Sequence, residues 1–75
     1  MSQRTYRILL TPEDSGGFSV SVPALPGCFT QGETLEEAIE MAKEAIGLYI
    51  EDLEADGEPV PDDSRSLEFS LTLAS

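Results

Sequence analysis

The stretch that most constrains the fold is residues 34–56, whose pattern is that of one long amphipathic helix. At 100° per residue, its apolar side chains fall within an arc of about 140°, and most of its charged side chains occupy the other side. The predicted core-facing residues are Leu35, Ala38, Ile39, Ala42, Ala45, Ile46, Tyr49, Ile50 and Leu53. The rest of the chain must therefore supply a surface that covers one side of this helix.

Both ends of this helix carry sequence signals. Thr34 can accept a hydrogen bond from the amide of Glu37, and the Glu37 side chain can reach back to the amide of Thr34, which is the reciprocal capping box. Gly57 suits the position after the end of a helix, and Pro59 cannot continue one. We therefore predict that the helix extends from Thr34 to Asp56.

Alternating apolar and polar residues predict strands on both sides of the helix. The predicted strands are residues 4–11, 18–22, 28–32 and 67–73, with a hairpin loop at residues 12–17. The helix allows the fourth strand to cross over and pair parallel to the first, and such a crossover is strongly preferred to be right-handed. The expected sheet order is therefore 3-2-1-4. The sequence thus predicts a single α+β domain, residues 1–75, of βββαβ type, in which the helix covers one face of a four-stranded sheet.

The net charge of −11 is concentrated in one part of the chain. Residues 33–63 hold twelve acidic residues against the single base Lys43, whereas acids and bases cancel in the remaining segments. Such a surface disfavours direct binding to nucleic acid and attracts basic proteins. The plain alternative is that the carboxylates are a solvated helix face without a partner.

The sequence offers little for catalysis. It contains no histidine, which excludes imidazole metal sites and histidine-based acid–base chemistry. Cys28 follows a Pro-Gly turn without a neighbouring base, so it is expected to be a small buried apolar residue rather than a nucleophile. No phosphate-binding loop, secretory leader or membrane-spanning run is present. We therefore expect a cytoplasmic, non-enzymatic binding protein with no catalytic, cofactor or metal site.

Self-association is a further expectation. A chain of 75 residues is near the lower size limit for a self-sufficient core. Met41 and Leu48 lie at about 240° and 220° on the helical wheel, outside the core-facing arc. The last strand, if it is a sheet edge, can add to a second copy through Leu71 and Leu73. These four residues are the predicted interface of a dimer or higher homo-oligomer, although single exposed apolar residues are also common without a contact role.

Several motifs resemble those of the HicB-type antitoxins. They are Y-x-I-x-x-x-P-E-D from Tyr6, P-A-L-P-G-C from Pro23, E-T-x-E-E-A from Glu33, and the helix sequence L-E-E-A-I-E-M-A-K-E-A-I that begins at Leu35. The resemblance covers residues 6–61. It implies a partial ribonuclease-H-like fold without the catalytic carboxylates of that fold. It also implies a role, which is to bind and neutralise a small basic HicA-type toxin that cleaves mRNA.

The resemblance and the charge pattern together point to the turn and the helix as the contact with such a toxin. The predicted partner-binding residues are Pro23, Leu25, Pro26, Gly27, Glu36, Glu40 and Glu44. Many HicB-type proteins continue into a DNA-binding segment, whereas this sequence stops at Ser75 after the predicted fourth strand, so no direct nucleic-acid binding is expected. The alternative is a solitary, self-associating HicB-like domain without a toxin partner.

Overall fold

A computed structural model describes residues 4–62 and 70–74. The elements are β1 (Leu9–Pro12), β2 (Phe18–Ser21), β3 (Phe29–Gly32) and α1 (Leu35–Ala55). The strands form one antiparallel sheet in the order β1-β2-β3, and α1 packs mainly on β3 and less on β2. The predicted α+β class, the three-strand meander and the long helix are therefore confirmed.

All three strands are shorter than the sequence pattern predicts, and β2 ends at Ser21 instead of residue 22. The register pairs Leu9 with Ser21, so residues before Leu9 would have to pair with the chain beyond Ser21. There the amide of Val22 bonds to the carbonyl of Cys28, and Pro23 has no N–H to donate. β1 consequently begins at Leu9 instead of residue 4, and β3 begins one residue after Cys28.

Residues 13–17 form the hairpin loop between β1 and β2, which is one residue shorter than the predicted loop at residues 12–17 because Pro12 belongs to β1. The amide of Glu13 donates to the carbonyl of Gly17, and the amide of Gly16 donates to the carbonyl of Glu13, both at 3.0 Å. Gly16 and Gly17 have φ angles of 102° and 79°, in the left-handed region that glycine enters at little cost. The paired glycines therefore allow the chain to reverse between the two strands.

The helix begins and ends as predicted, with one difference at its first turn. Thr34 is the N-cap, and its Oγ1 accepts the amide of Glu37 at 3.0 Å. The Glu37 carboxylate instead accepts the amide of Glu33, at 2.9 Å, so the predicted return bond to Thr34 is wrong. This long side chain reaches one residue beyond the cap and satisfies an amide there.

At the other end of the helix, the chain leaves through Gly57, whose φ angle is 69°. The amide of Gly57 donates to the carbonyl of Glu54 at 3.1 Å, and the amide of Glu58 donates to the carbonyl of Leu53 at 2.9 Å. This pair of bonds is the Schellman motif, in which a glycine after the C-cap satisfies the last free carbonyls. The predicted role of Gly57 is confirmed.

The core lies between α1 and the sheet in two adjoining clusters. One contains Val20, Ala38 and Ala42, and the other contains Val22, Leu25 and Cys28. The buried stripe of the helix is centred on Ala38 and Ala42, and the predicted core residues Leu35 and Ile39 are 50% and 36% exposed at its margin. Because the helix rests mainly on β3, this margin extends beyond the area that the sheet covers.

Contacts between distant segments hold the N-terminal residues beside the connector that follows the helix. The Tyr6 hydroxyl donates to the carbonyl of Pro61, and Arg4 Nη2 lies 3.9 Å from Glu54 Oε2. Burial raises the pKa of Tyr6, Arg4 lowers it and Asp62 raises it again. The phenol therefore stays protonated at neutral pH and remains a donor to Pro61.

The predicted fourth strand is not confirmed. Residues 70–74 form no strand, and residues 67–69 lie outside the described residues. Leu71 and Leu73, which belong to the predicted fourth strand, are each 85% exposed. In the described part of the chain, β1 pairs with β2 alone, and the sheet order 3-2-1-4 and the ribonuclease-H-like detail remain predictions.

Candidate partner-binding surfaces

The turn at residues 23–28 is built around one buried side chain. Leu25 is 0% exposed and packs with Val22 and Cys28. Its amide donates to the carbonyl of Val22, and its carbonyl accepts the amide of Cys28, both at 3.0 Å, while Val22 N donates to Cys28 O at 3.2 Å. These three bonds close the backbone of the turn. The side chain of Leu25, a residue predicted to contact a partner, thus lies inside the core in this structure, and the contact stays a prediction.

The other three predicted contact residues of the turn lie at the surface. Pro23, Pro26 and Gly27 are exposed, and Gly27 has a φ angle of 82°. The Tyr49 hydroxyl donates to the carbonyl of Pro26 at 2.7 Å and ties the turn to the second half of α1. The turn consequently presents a rigid edge whose shape depends on Leu25 beneath it.

Cys28 is a structural residue of the same cluster. It is 5% exposed, and burial raises the pKa of its thiol. A protonated, buried thiol is a weak nucleophile, since the thiolate is the reactive form. The expectation that Cys28 is a small buried apolar residue is confirmed.

The carboxylates of α1 all reach solvent, at Glu36, Glu37, Glu40, Glu44, Glu51, Asp52 and Glu54. Glu36, Glu40 and Glu44, which we call the carboxylate row, follow one another at four-residue spacing, so successive Cβ atoms lie about 5–6 Å apart. Lys43 Nζ lies 3.3 Å from Glu40 Oε1, with both side chains largely exposed. Such a solvated pair contributes little to stability, so a basic partner can displace it readily.

The structure separates the two parts of the predicted site. The turn contacts Tyr49, which lies about 180° from Glu40 around the helix and about 13 Å further along its axis. The carboxylate row faces solvent on the first half of α1, whereas the turn packs against the sheet side of its second half. A flat partner surface can therefore contact one of these regions at a time, and only a partner that wraps around the helix contacts both.

A cleft that sequence patterns do not reveal lies between the β1–β2 hairpin, the end of β3 and the start of α1. Its volume is about 830 Å³, and its lining includes Glu13, Glu33, Glu37, Phe18 and Met41. The register pairs Phe18 with Gly32, which brings the hairpin next to the residues that enter the helix. The cleft thus follows from the strand register, and the spacing of residues along the chain gives no indication of it.

Four residues were predicted to form an oligomer interface, and all are exposed. Met41 is 38% exposed and lines the cleft, while Leu48 is 57% exposed on the same side of α1. Leu71 and Leu73, at 85% each, are the most exposed large apolar residues of the described chain. Their role in self-association stays a prediction.

The described residues hold no group of three or more His, Cys, Asp or Glu side chains that could bind a metal ion. Across residues 4–62 and 70–74, no helix combines the length and apolar composition needed to span a membrane. Apart from Glu37, which lines the cleft, the carboxylates of α1 are dispersed along an exposed face of the helix.

Comparison with known proteins shows which family this chain is similar to. The sequence model of a family described as the HicB-like antitoxin of bacterial toxin–antitoxin systems matches residues 6–72. A UPF0150 protein of Thermoplasma acidophilum is 49% identical over 59 residues, which cover 79% of this chain and 86% of the relative. A UPF0150 protein of Synechocystis is 52% identical over 56 residues, covering 75% of this chain and 71% of the relative.

Relatives with a functional name are similar as well. The antitoxin HicB of Escherichia coli is 41% identical over 76 aligned positions, which cover 93% of this chain and 55% of that antitoxin. The antitoxin HicB 1 of Photorhabdus laumondii is 39% identical, with 93% of this chain and 48% of the relative covered. The chain belongs to the HicB-like antitoxin family of bacterial toxin–antitoxin systems.

Proposed function

We propose that this protein is an antitoxin that binds and neutralises a small basic toxin of HicA type, an enzyme that cleaves mRNA in the cytoplasm. Family membership and the similarity to proteins named antitoxin HicB support the role. The function is one of binding and requires no catalytic group on this chain. The observation that carries the proposal is the solvent-facing row of Glu36, Glu40 and Glu44 on a helix with a single base, Lys43.

Electrostatics explains how such a surface neutralises an RNA-cleaving enzyme. A ribonuclease must hold the phosphate backbone against basic side chains. A row of carboxylates on a rigid helix presents negative charge to the same basic side chains and competes with RNA for them. Because the row lies outside the core, it can be occupied without any change in the packing of α1.

The exposed edge of the turn supplies a second contact in this proposal. Pro23, Pro26 and Gly27 meet the toxin, and Leu25 acts from beneath by holding the turn in shape. Since the turn and the carboxylate row face different directions, the toxin contacts them by extending around one side of α1 or through two toxin copies. The row contributes charge, and the turn contributes shape.

We further propose that residues 67–73 complete the sheet as a fourth strand beside β1, in the order 3-2-1-4 of a partial ribonuclease-H-like fold. The alternation of that segment supports this arrangement. So does the hydrogen bond between Tyr6 and Pro61, which holds the connector beside the segment that leads into β1. Hydrogen exchange tests it, because alternate amides of residues 67–73 should be protected, and uniformly fast exchange would contradict it.

The toxin proposal is tested by co-expression with the small basic protein encoded beside this one. We expect the pair to co-purify and the antitoxin to restore growth that the toxin alone arrests. A variant with Glu36→Lys, Glu40→Lys and Glu44→Lys should lose both effects because the row then repels the basic toxin. Absence of any small basic partner would contradict the proposal.

A matched control separates the carboxylate row from net charge. The variant with Asp14→Lys, Glu51→Lys and Glu58→Lys changes the total charge equally at exposed positions outside the row. It should still co-purify with the toxin and restore growth. Equal loss in both variants would show that the row has no special role and that overall charge alone acts.

Self-association without a toxin is the second candidate, and the exposure of Met41 and Leu48 favours it. In that case, these two side chains meet a second copy and the carboxylates around them remain solvated. Light scattering at high protein concentration decides the point, since a monomer would remove the basis for this candidate.

A further inference from the structure

The cleft between the β1–β2 hairpin, the end of β3 and the start of α1 carries both apolar and acidic side chains. Its apolar side chains are Phe18, which is half-buried on β2, and Met41, which is 38% exposed on the second turn of α1. Glu13, Glu33 and Glu37 are exposed and come from the hairpin, the entry to the helix and its first turn. Among the described residues that line the cleft, none is a lysine or an arginine, so its negative charge is unbalanced.

Close backbone contacts fix the distance between the two sides of the cleft. A Cβ added to Gly17 would lie 2.9 Å from the carbonyl oxygen of Gly32, and a Cβ added to Gly32 would lie 2.6 Å from Ala38 Cα. The hairpin therefore touches the end of β3, and β3 touches α1, with no room for a side chain at either contact. A cleft with walls held in this way is formed before a partner arrives, which lowers the entropic cost of binding.

One carboxylate of the cleft is held in place by the helix N-terminus. Glu37 Oε1 accepts the amide of Glu33 at 2.9 Å, and the amide of Glu37 donates to Thr34 Oγ1 at 3.0 Å. An ionised carboxylate offers about four acceptor positions, so a single backbone amide leaves most of them available. Glu37 can thus accept hydrogen bonds from a partner without leaving its position at the start of α1.

The chemistry of the lining selects a basic side chain with an apolar stem. The cleft volume of about 830 Å³ suits an organic group better than a metal ion, and no metal-binding group of acidic side chains is found among the described residues. An arginine can pack its methylene groups on Met41 and stack its planar guanidinium on the ring of Phe18. The guanidinium also makes paired hydrogen bonds with carboxylates, which a lysine ammonium cannot do.

We propose that this cleft is a docking site for an arginine side chain of a basic protein partner. Its guanidinium binds among Glu13, Glu33 and Glu37. Because Glu37 and Glu40 are three residues apart on α1, they are neighbours on the helix surface, and the cleft is continuous with the carboxylate row. A single partner can therefore cover both. That this partner is the toxin rests on the proposed function, whereas the binding of arginine in the cleft does not.

An NMR titration of the full chain with the peptide acetyl-Gly-Arg-Gly-amide tests the proposal without a toxin. We expect saturable shifts of the amides of Gly17, Gly32 and Glu33, with a dissociation constant in the millimolar range. The variant with Glu13→Gln and Glu33→Gln should raise that constant about fivefold by removing two of the three charges. The same peptide with citrulline in place of arginine keeps the shape, lacks the charge and should cause no saturable shift.

The matched control is the variant with Glu44→Gln and Glu51→Gln, which removes two charges from exposed positions of α1 outside the cleft. It should bind the arginine peptide like the unchanged protein. Equal weakening in the two variants, or equal binding of the arginine and citrulline peptides, would overturn the proposal. A toxin that fails to co-purify would contradict the proposed function and leave the peptide result intact, so failure of either can be recognised without the other.

Discussion

The turn at residues 23–28 and the carboxylate row on α1 both carry residues predicted to contact a partner, yet they differ in how they are held. The turn is closed by three backbone hydrogen bonds and contains the fully buried Leu25. The row consists of exposed side chains, with one weak pair between Glu40 and Lys43. Substitutions in the turn should therefore act first on stability, and substitutions in the row should act on binding alone.

The largest effect is expected for Leu25→Ala. Removing a fully buried leucine side chain leaves a cavity between the turn, the segment that holds Tyr6 and Ile8, and α1, and should lower the free energy of unfolding by about 2–5 kcal/mol. Urea denaturation measures this change in the free energy of unfolding. Pro26→Ala is the control, because its side chain is exposed and its carbonyl, which accepts Tyr49, is retained. Equal, small losses in both variants would show that the turn is not part of the core.

A smaller decrease in the free energy of unfolding is expected for Gly32→Ala, at the point where β3 meets the helix. An added Cβ would lie 2.6 Å from Ala38 Cα and 2.9 Å from the Glu37 carbonyl carbon, so the backbones must separate. Overpacking of this kind costs about 1–3 kcal/mol. It would displace the first turns of α1, which carry the carboxylate row.

Gly47→Ala is the matched control for Gly32, because the same substitution meets open space within α1. It should stabilise the protein by about 0.5–1 kcal/mol through helix propensity. Urea denaturation of the two variants should therefore give changes of opposite sign. If Gly32→Ala were neutral, the close approach of β3 and α1 would not constrain the helix.

A decrease of about 1 kcal/mol in the free energy of unfolding is expected for Thr34→Ala, which removes the N-cap beside the carboxylate row. Thr34→Ser keeps the hydroxyl acceptor and should retain most of the stability. Thermal unfolding of both variants checks this difference. An equal loss in the two would mean that the Thr34 methyl group, and not its hydroxyl, supports the helix.

Local signals allowed part of this structure to be predicted from the sequence. The helix ends follow from Thr34 and Gly57, and the burial of Cys28 was expected because no base adjoins it in the sequence. Burial of Leu25 was missed because two prolines and a glycine around it indicate an exposed turn, whereas its packing depends on Tyr49 and Val22, which only the fold brings near.

Non-local pairing accounts for the other differences. The length of β1 depends on where β2 ends, and the cleft beside Met41 depends on the strand register. The separation of the turn from the carboxylate row depends on which side of α1 rests on the sheet. The periodicity predicted the buried side of α1 correctly except at one margin. There it predicted that Leu35 and Ile39 are buried, whereas they are 50% and 36% exposed.

The central claim is that the carboxylate row binds a basic toxin while taking no part in the fold. The most direct test compares the unchanged protein with a variant carrying Glu36→Gln, Glu40→Gln and Glu44→Gln, by measuring toxin affinity over a range of salt concentrations. We predict weaker binding and a shallower salt dependence, with the free energy of unfolding changed by less than about 0.5 kcal/mol. Unchanged affinity and an unchanged salt dependence would contradict the claim and leave the row as a solvated helix face.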